Sequence, residues 1–384
     1  MTLPAFSSSS SFSRPTWAQI HLPSLRANAR VLRGTANTPL IAVIKADAYG
    51  HGAIQAAKAL QDEAFHFAVA GLDEGCILRE AGITKPILAL SAILPSQAEY
   101  AVEHDLTVTV NSLEVARALD KAAVARKRIV NAHWKFDTGM GRVGVWHEDA
   151  LATWQALQEF RSITIKGVYT HFASADEPDE AYTLQQIGAF EQVLKQCGIT
   201  IAEYLVHAAN SPATLRFPRA RYSAVRCGLS LYGASPFDNR QFGELLAPVM
   251  SLQARITDVR RIAKGRTVSY GGTWRAERDS VLALVPLGYA DGYPRCLSNR
   301  GEVLIQGTRC RVAGRVTMDQ ILVDVTEISA NIAPGQIVTA WGYDENGIHL
   351  PVEEVAATAD TIAYEMLTGI AARVPRVYND ILKS

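Results

Sequence analysis

Short apolar runs recur along the first two thirds of the chain, at 40–44, 66–70, 86–90, 106–110, 128–133, 164–169, 204–207 and 222–226. Their length and their polar or glycine-containing flanks predict buried strands. Between them lie stretches with helical spacing: 112–125 opens with Asn111 or Ser112 as cap, and 149–160 sets Leu151, Trp154 and Leu157 on one face. Eight strand-helix units predict an α/β fold, a parallel (β/α)8 barrel whose active groups stand at the C-terminal ends of the strands. Polar residues fall at those ends: Lys45 after the first run, Lys135 and Asp137 after the fifth, His171 after the sixth, Asn210 and Ser211 after the seventh, with Arg226 closing the eighth. An open doubly wound sheet is the alternative, but polar ends around so many strands favour a closed mouth.

Near 236–248 the helical rhythm stops and dense β-branched alternation takes over, so a second, mainly β domain is expected, with strands in 249–262, 280–286, 302–325 and 336–341. Turns at Ala263-Lys-Gly-Arg266 and Tyr343-Asp-Glu-Asn-Gly347 separate them. The resulting division is a Ser-rich disordered tail at 1–14, a barrel at 15–243 and a β domain at 244–384. The alternating stretch 16–22 could join the later sheet.

The 384 residues exceed what one core usually serves. Lysine plus arginine and aspartate plus glutamate are both 38, so no global field selects nucleic acid or an acidic membrane, and small molecules or another protein chain are the expected partners. Five scattered cysteines without a C-x-x-C pair argue against a disulfide framework and a zinc site, and fit a reducing cytoplasm. No apolar run has the length of a membrane span, and the serines at 7–11 break the apolar core that a secretory signal needs. An organellar transit peptide is the competing reading of this tail, since no acidic residue precedes Asp47.

The stretch 42–52, AVIKADAYGHG, draws the chemistry together. Lys45 ends a buried strand, Gly50 and Gly52 allow the chain to turn, and Ile54, Ala57 and Leu60 begin a helix. A partly desolvated lysine has more of its amine neutral and suits Schiff-base chemistry. The same lysine could instead snorkel to solvent.

The ordered set AVIKADAYGHG, Lys135-Phe-Asp-Thr-Gly-Met-Gly-Arg142, Thr170-His-Phe-Ala-Ser-Ala-Asp176, His207-Ala-Ala-Asn-Ser211, Arg226-Cys-Gly-Leu229, Val268-Ser-Tyr-Gly271, Gly288-Tyr-Ala-Asp-Gly292, Gly314-Arg-Val-Thr-Met-Asp-Gln320 and Arg373-Val-Pro-Arg376 resembles the alanine racemase family over nearly the whole chain. The resemblance implies a cytoplasmic, homodimeric, pyridoxal 5'-phosphate enzyme that interconverts L-alanine and D-alanine. It makes Lys45 the cofactor's anchor and one base, and Tyr270, reaching into the partner subunit, the opposing base. His171 resembles the helper of that tyrosine, and Arg226 the donor-only group facing the cofactor's ring nitrogen. Tyr49, Ser211, the amides of Gly228 and Leu229, and Tyr364 match phosphate contacts. Ser211 could also be an N-cap before Pro212. Arg142 and the Met318 amide match substrate-carboxylate contacts. Lys135 matches a lysine that many members carbamylate, although it could simply pair with Asp137. Asp176, Tyr289, Arg295, Arg315, Ile362 and Tyr364 match an entryway, while Asp47 and Thr317 read as permitted variants. A broader amino-acid racemase, a decarboxylase on the same plan and a non-catalytic cofactor carrier are the rival readings, and D-alanine supply for peptidoglycan or its degradation both remain open.

Overall fold

The computed structural model describes residues 14–237 and 240–379; apart from Arg14, the serine-rich tail lies outside the described residues. Two compact units are present, one spanning Leu25–Leu246 and the other gathering the described residues before and after it.

The first unit is a nearly closed parallel barrel. After β1 (Thr16–His21) and α1 (Leu22–Ala36) come the barrel strands β2 (Leu40–Val43), β3 (His66–Val69), β4 (Ile87–Ala89), β5 (Thr107–Val110), β6 (Val130–Asp137), β7 (Ile163–Tyr169), β8 (Leu205–His207) and β9 (Val225–Cys227). Each pairs in parallel with the next as far as β8, and β9 returns to β2. One parallel bridge, His207 to Ala224, joins the last two. Every residue of β2 and β5 is buried, as expected for strands enclosed by helices.

Helices α2 (Ala53–Ala59), α3 (Leu72–Glu80), α4 (Ala98–Glu103), α5 (Leu113–Ala125), α6 (Ala150–Leu157), α7 (Ala181–Gln196) and α8 (Ser211–Arg216) complete the unit. Ser112 caps α5, its hydroxyl accepting the Val115 amide, and Val115, Ala116, Leu119, Ala122 and Ala123 form the buried stripe.

Three local readings change. The strand expected at 128–133 continues to Asp137, so Lys135 and Asp137 lie within β6. The helix expected at 149–160 is confined to Ala150–Leu157, because residues 147–149 form a tighter 3-10 turn. Asn210, not Ser211, caps α8: its side chain accepts the Ala213 amide at 3.2 Å, which leaves the Ser211 hydroxyl for other partners.

The second unit is mainly β. Its larger sheet contains, in spatial order, β14 (Thr308–Arg311), β13 (Glu302–Ile305), β16 (Ile337–Tyr343), β10 (Met250–Arg255), β1 and β17 (Arg376–Asn379). A three-stranded sheet orders β11 (Asp258–Ile262), β12 (Ser280–Val285) and β15 (Ile321–Asp324). The run 249–262 therefore breaks into two strands that serve different sheets, and 302–325 holds three strands. Helices α9 (Val352–Thr358) and α10 (Ala363–Thr368) precede β17. Among the described residues no helix is long and apolar enough to cross a membrane.

Gly167 in β7 lies opposite His133 of β6, and a Cβ there would stand 2.8 Å from both the His133 ring and the Leu205 carbonyl oxygen. The barrel interior thus accommodates a histidine ring because its neighbour has no side chain. Gly167→Ala is expected to destabilise the protein by about 1–3 kcal/mol through overpacking, read as a lower urea midpoint; an unchanged midpoint would show that the ring moves aside freely.

Candidate active site

Lys45 follows β2 directly and is half-buried. The next four residues, Ala46 to Tyr49, have φ of 52 to 54° and form a left-handed helical turn without a glycine. The turn begins before Gly50, where the sequence suggested it would. Such backbone costs about 1–2 kcal/mol per residue, and side chains brace it. The Glu74 carboxylate accepts the Ala46 and Ala70 amides, both at 2.7 Å, and Asp47 accepts the Ala53 amide at 2.7 Å. The His51 Nδ1–H donates to the carbonyls of Ala48 and Tyr49 at 3.0 and 2.8 Å. Burial above all, then the Arg142 charge, lowers the Lys45 pKa against the opposing pull of Glu74, and Arg226 lowers it further.

Arg226 is 3% exposed. Its guanidinium donates to His207 Nδ1 and His171 Nδ1, both at 2.8 Å, and to the Thr170 and Ala208 carbonyls at 3.1 and 3.4 Å. It also lies 5.1 Å from the centre of the Tyr169 ring. A guanidinium offers only donors and keeps its proton. Both histidines must therefore accept at Nδ1 and carry hydrogen on Nε2. His207 can then donate to His133 Nδ1, 2.9 Å away. Burial, followed by the Arg226 charge, holds His171 and His207 well below the ordinary histidine pKa, so both rings are neutral.

Lys135 is buried, its Nζ 5.4 Å from the Tyr169 ring centre. Burial pushes its pKa down to about 8, the charges of Arg226 and Arg142 add to this, Asp137 opposes it, and Lys45 lowers it further. The ion pair with Asp137 left open by the sequence is not made. Asp137 instead accepts the amides of Gly139, Gly141 and Arg142 at 2.9, 3.0 and 2.9 Å. Burial favours the neutral acid, but these amides and Lys135 outweigh it and lower the Asp137 pKa. The carboxylate thereby shapes the loop that carries Arg142. The Asp-x-Gly-x-Gly spacing was the available signal for this turn.

Hydrogen-bond donors gather where the start of α8 meets the turn after β9. Ser211 Oγ accepts the Gly228 and Ser230 amides at 3.1 and 3.3 Å and keeps its own hydrogen to donate. A Cβ on Gly228 would collide with the Tyr49 hydroxyl, so glycine is required for the close approach. Tyr49 stacks on Tyr232, ring centres 4.8 Å apart, and the Tyr232 hydroxyl donates to the Val43 carbonyl at 2.9 Å. Leu229 is buried in the same turn, as is Ser230, whose hydroxyl has no partner among the described residues. This unpartnered hydroxyl, in the turn whose amide donates to Ser211, suits an anionic group. Ser230, Glu74 and Asp137 lacked an assigned site role in the sequence, because their tasks depend on which amides the fold brings near them.

The barrel unit thus brings Lys45, Tyr49, Lys135, Arg142, His171, Ser211, Arg226, Gly228 and Leu229 to the C-terminal ends of its strands and the loops there; Asp176 is exposed beyond β7. Tyr270, Tyr289, Arg295, Arg315, Met318, Ile362 and Tyr364 belong to the other unit. There Ser269 adopts φ 62° and ψ 179°, uncommon for a residue other than glycine, and its hydroxyl donates to the Arg315 carbonyl at 2.8 Å. The amides of Tyr289 and Ala290 donate to the carbonyls of Thr317 and Met318, both at 3.0 Å, so the loops of Tyr289 and Met318 are tied together. Arg295 heads a 3-10 turn, while Ile362 precedes α10, which contains Tyr364. Tyr270 is 71% exposed, Met318 53% and Ile362 58%.

A lysine of lowered pKa, a cluster of hydrogen-bond donors and a buried guanidinium at a barrel mouth make a cationic site of the kind that suits amine chemistry on an anionic ligand. The family models for the N-terminal and C-terminal domains of alanine racemase match residues 20–236 and 249–378. The alanine racemase of Desulforamulus reducens is 43% identical over 95% of this chain and 99% of its own, and that of Carboxydothermus hydrogenoformans is 43% identical over 95% and 100%. The crystal structure of alanine racemase from Streptomyces lavendulae superposes with a TM-score of 0.89 at 38% identity, covering 97% of this chain and 99% of that one. That from Bacillus anthracis, with bound L-Ala-P, gives 0.86 at 35%, covering 96% of each. The chain belongs to the alanine racemase family, a family of isomerases.

The lowered pKa of Lys135 has a thermodynamic consequence. Between about 8, its folded value, and 10.5, the ordinary one, the unfolded chain holds the proton and the folded chain does not. Stability from this group therefore rises with pH across that window. In buffers purged of carbon dioxide, Lys135→Met is expected to flatten the rise in urea midpoint; an unaltered pH slope would assign the effect elsewhere.

Proposed function

We propose that the chain is a pyridoxal-phosphate-dependent alanine racemase that interconverts L-alanine and D-alanine with Lys45 and Tyr270 as opposing bases. The observation that carries this reading is the placement of Lys45 beside Arg226, Arg142 and a cluster of hydrogen-bond donors, within a chain of this family. When bound through the Lys45 amine, pyridoxal phosphate supplies the carbonyl and electron-withdrawing ring that make an amino acid's α-hydrogen acidic. Tyr49, Ser211, Gly228, Leu229 and Tyr364 would hold its phosphate, with the Ser230 hydroxyl within the same turn.

Arg142 and the Met318 amide fix the substrate carboxylate and so decide which face of Cα meets each base. Lys45 takes or returns the proton on one face. Tyr270 does so on the other, its phenolate oxygen stabilised by the Nε2–H of a neutral His171 rather than by an imidazolium. Arg226 would face the cofactor's ring nitrogen with donors it does not release, which would limit the ring's electron withdrawal and favour prompt return of the proton to Cα. Asp176, Tyr289, Arg295, Arg315, Ile362 and Tyr364 form the entryway.

The partner subunit of a homodimer supplies Tyr270 and Met318 to each site. The exposure of Tyr270, Met318 and Ile362 supports a surface of the β unit that another chain covers. A cytoplasmic enzyme that serves D-alanine supply for peptidoglycan, or its breakdown, fits this activity. Lys135 would carry a carbamate, the neutral amine available near pH 8 adding to carbon dioxide. This replaces a repelling cation beside Arg142 with an anion.

Three experiments test this reading. Lys45→Ala is expected to lose both the absorbance of protein-linked cofactor and racemisation. Tyr270→Phe should slow racemisation by about 10²–10⁴-fold while one enantiomer still exchanges its α-hydrogen with heavy water. Undiminished racemisation in either variant would defeat the two-base scheme. With ¹³C-bicarbonate, the wild-type enzyme should show a carbamate carbon resonance that Lys135→Met lacks; the same resonance in both would place the modification on another amine.

A further inference from the structure

His171 stands on backbone that is neither strand nor helix, just beyond β7. Irregular backbone does not hold a side chain by its own ladder of hydrogen bonds, so something else must fix this ring. Gln186, in α7, is fully buried. Its Oε1 accepts the Ala173 amide at 2.9 Å, and its Nε2 donates to the His171 carbonyl at 3.1 Å and to Thr138 Oγ1 at 3.3 Å. Thr138 Oγ1 lies 2.8 Å from Thr170 Oγ1.

These contacts make the side-chain amide a substitute for a neighbouring strand. It pairs with the carbonyl of residue 171 and the amide of residue 173, as a peptide group would. The orientation is forced, since an amide N–H must face Oε1 and a carbonyl must face Nε2. Both Nε2 hydrogens are used. The second reaches Thr138, which follows Asp137 at the start of the loop leading to Arg142. One side chain therefore joins the backbone of His171 to the loop of the candidate carboxylate-binding arginine.

We propose that Gln186 is a positioning residue that sets where His171 presents its Nε2–H, and through it the rate of proton transfer on the Tyr270 face of the substrate. The inference rests on the reading of His171 as the helper of Tyr270. Arg226 fixes the ring at Nδ1, while Gln186 fixes the main chain from which the ring hangs. With both in place, the donor atom has one position. Without Gln186, the His171 carbonyl and the Ala173 amide lose their partners, and the segment is released to find others.

The test compares Gln186→Met, which keeps length and volume but removes every hydrogen bond, with Gln186→Glu, which keeps the acceptor and loses the amide donors. Both are made in the holoenzyme, so that one remains if the other does not fold. The primary isotope effect with α-deuterated substrate is measured for each alanine enantiomer. Because an isotope effect does not depend on the fraction of protein folded, it separates positioning from loss of structure. We expect it to rise for the enantiomer deprotonated on the Tyr270 face and to fall towards unity for the other, whose turnover is then limited by return of the proton on that face, with kcat/KM falling at least tenfold in both directions. In parallel, histidine ring ¹⁵N shifts should change for His171 and hold for His207, a readout that needs no turnover.

Isotope effects that change equally for both enantiomers, or unchanged His171 shifts in a folded variant, would overturn the proposal. Absence of racemisation in the unaltered protein would count against the functional reading, and the His171 shifts would then decide the role of Gln186 by themselves.

Discussion

A buried guanidinium with no carboxylate at its side among the described residues governs this site. Arg226 satisfies its donors with two histidine nitrogens and two carbonyl oxygens, all uncharged acceptors. Lys45, Lys135 and Arg142 bring further positive charge close enough for these groups to perturb one another. The nearby acids do little to neutralise the cluster by direct pairing. Glu74 and Asp137 direct their carboxylates to backbone amides, bracing the loops that carry Lys45 and Arg142. Burying uncompensated charge is unfavourable, and in the proposed enzyme the balance would fall to what binds: a phosphate at Ser211, a carboxylate at Arg142 and a carbamate on Lys135.

The same guanidinium determines proton locations. By claiming Nδ1 of His171 and His207 it sets both tautomers, and burial together with its charge keeps both rings neutral. Lys45 is affected more gently, through burial and its cationic neighbours, and its amine becomes available without a dedicated base. A racemase needs two groups that exchange protons with Cα and surroundings that do not compete for those protons. A donor-only arginine and a neutral histidine provide such surroundings.

The fold was largely legible in the sequence because eight buried strands give a regular alternation of apolar runs and helices. What was missed lies where irregular backbone is held by side chains. The left-handed turn at Ala46 to Tyr49 has no glycine to announce it, since Glu74, nearly thirty positions later, stabilises it. The pairing of Asp137 with three amides in place of Lys135 depends on the curl of its own loop. For the site, the motifs marked Lys45, Arg226 and Ser211, but the tautomers of His171 and His207 are consequences of contacts in space. Ser230 and Gln186 carry no chemical signature along the chain. Their roles emerge only when the fold shows which polar atoms are buried beside them.

Arg226 fixes the protons of the histidines around it. Neutron diffraction from a deuterium-exchanged crystal of the holoenzyme tests this most directly, since it locates the exchangeable hydrogens. Deuterium is expected on Nε2 of both His171 and His207 and on every nitrogen of the Arg226 guanidinium, with none on either Nδ1. Deuterium on Nδ1 of His171 would contradict it.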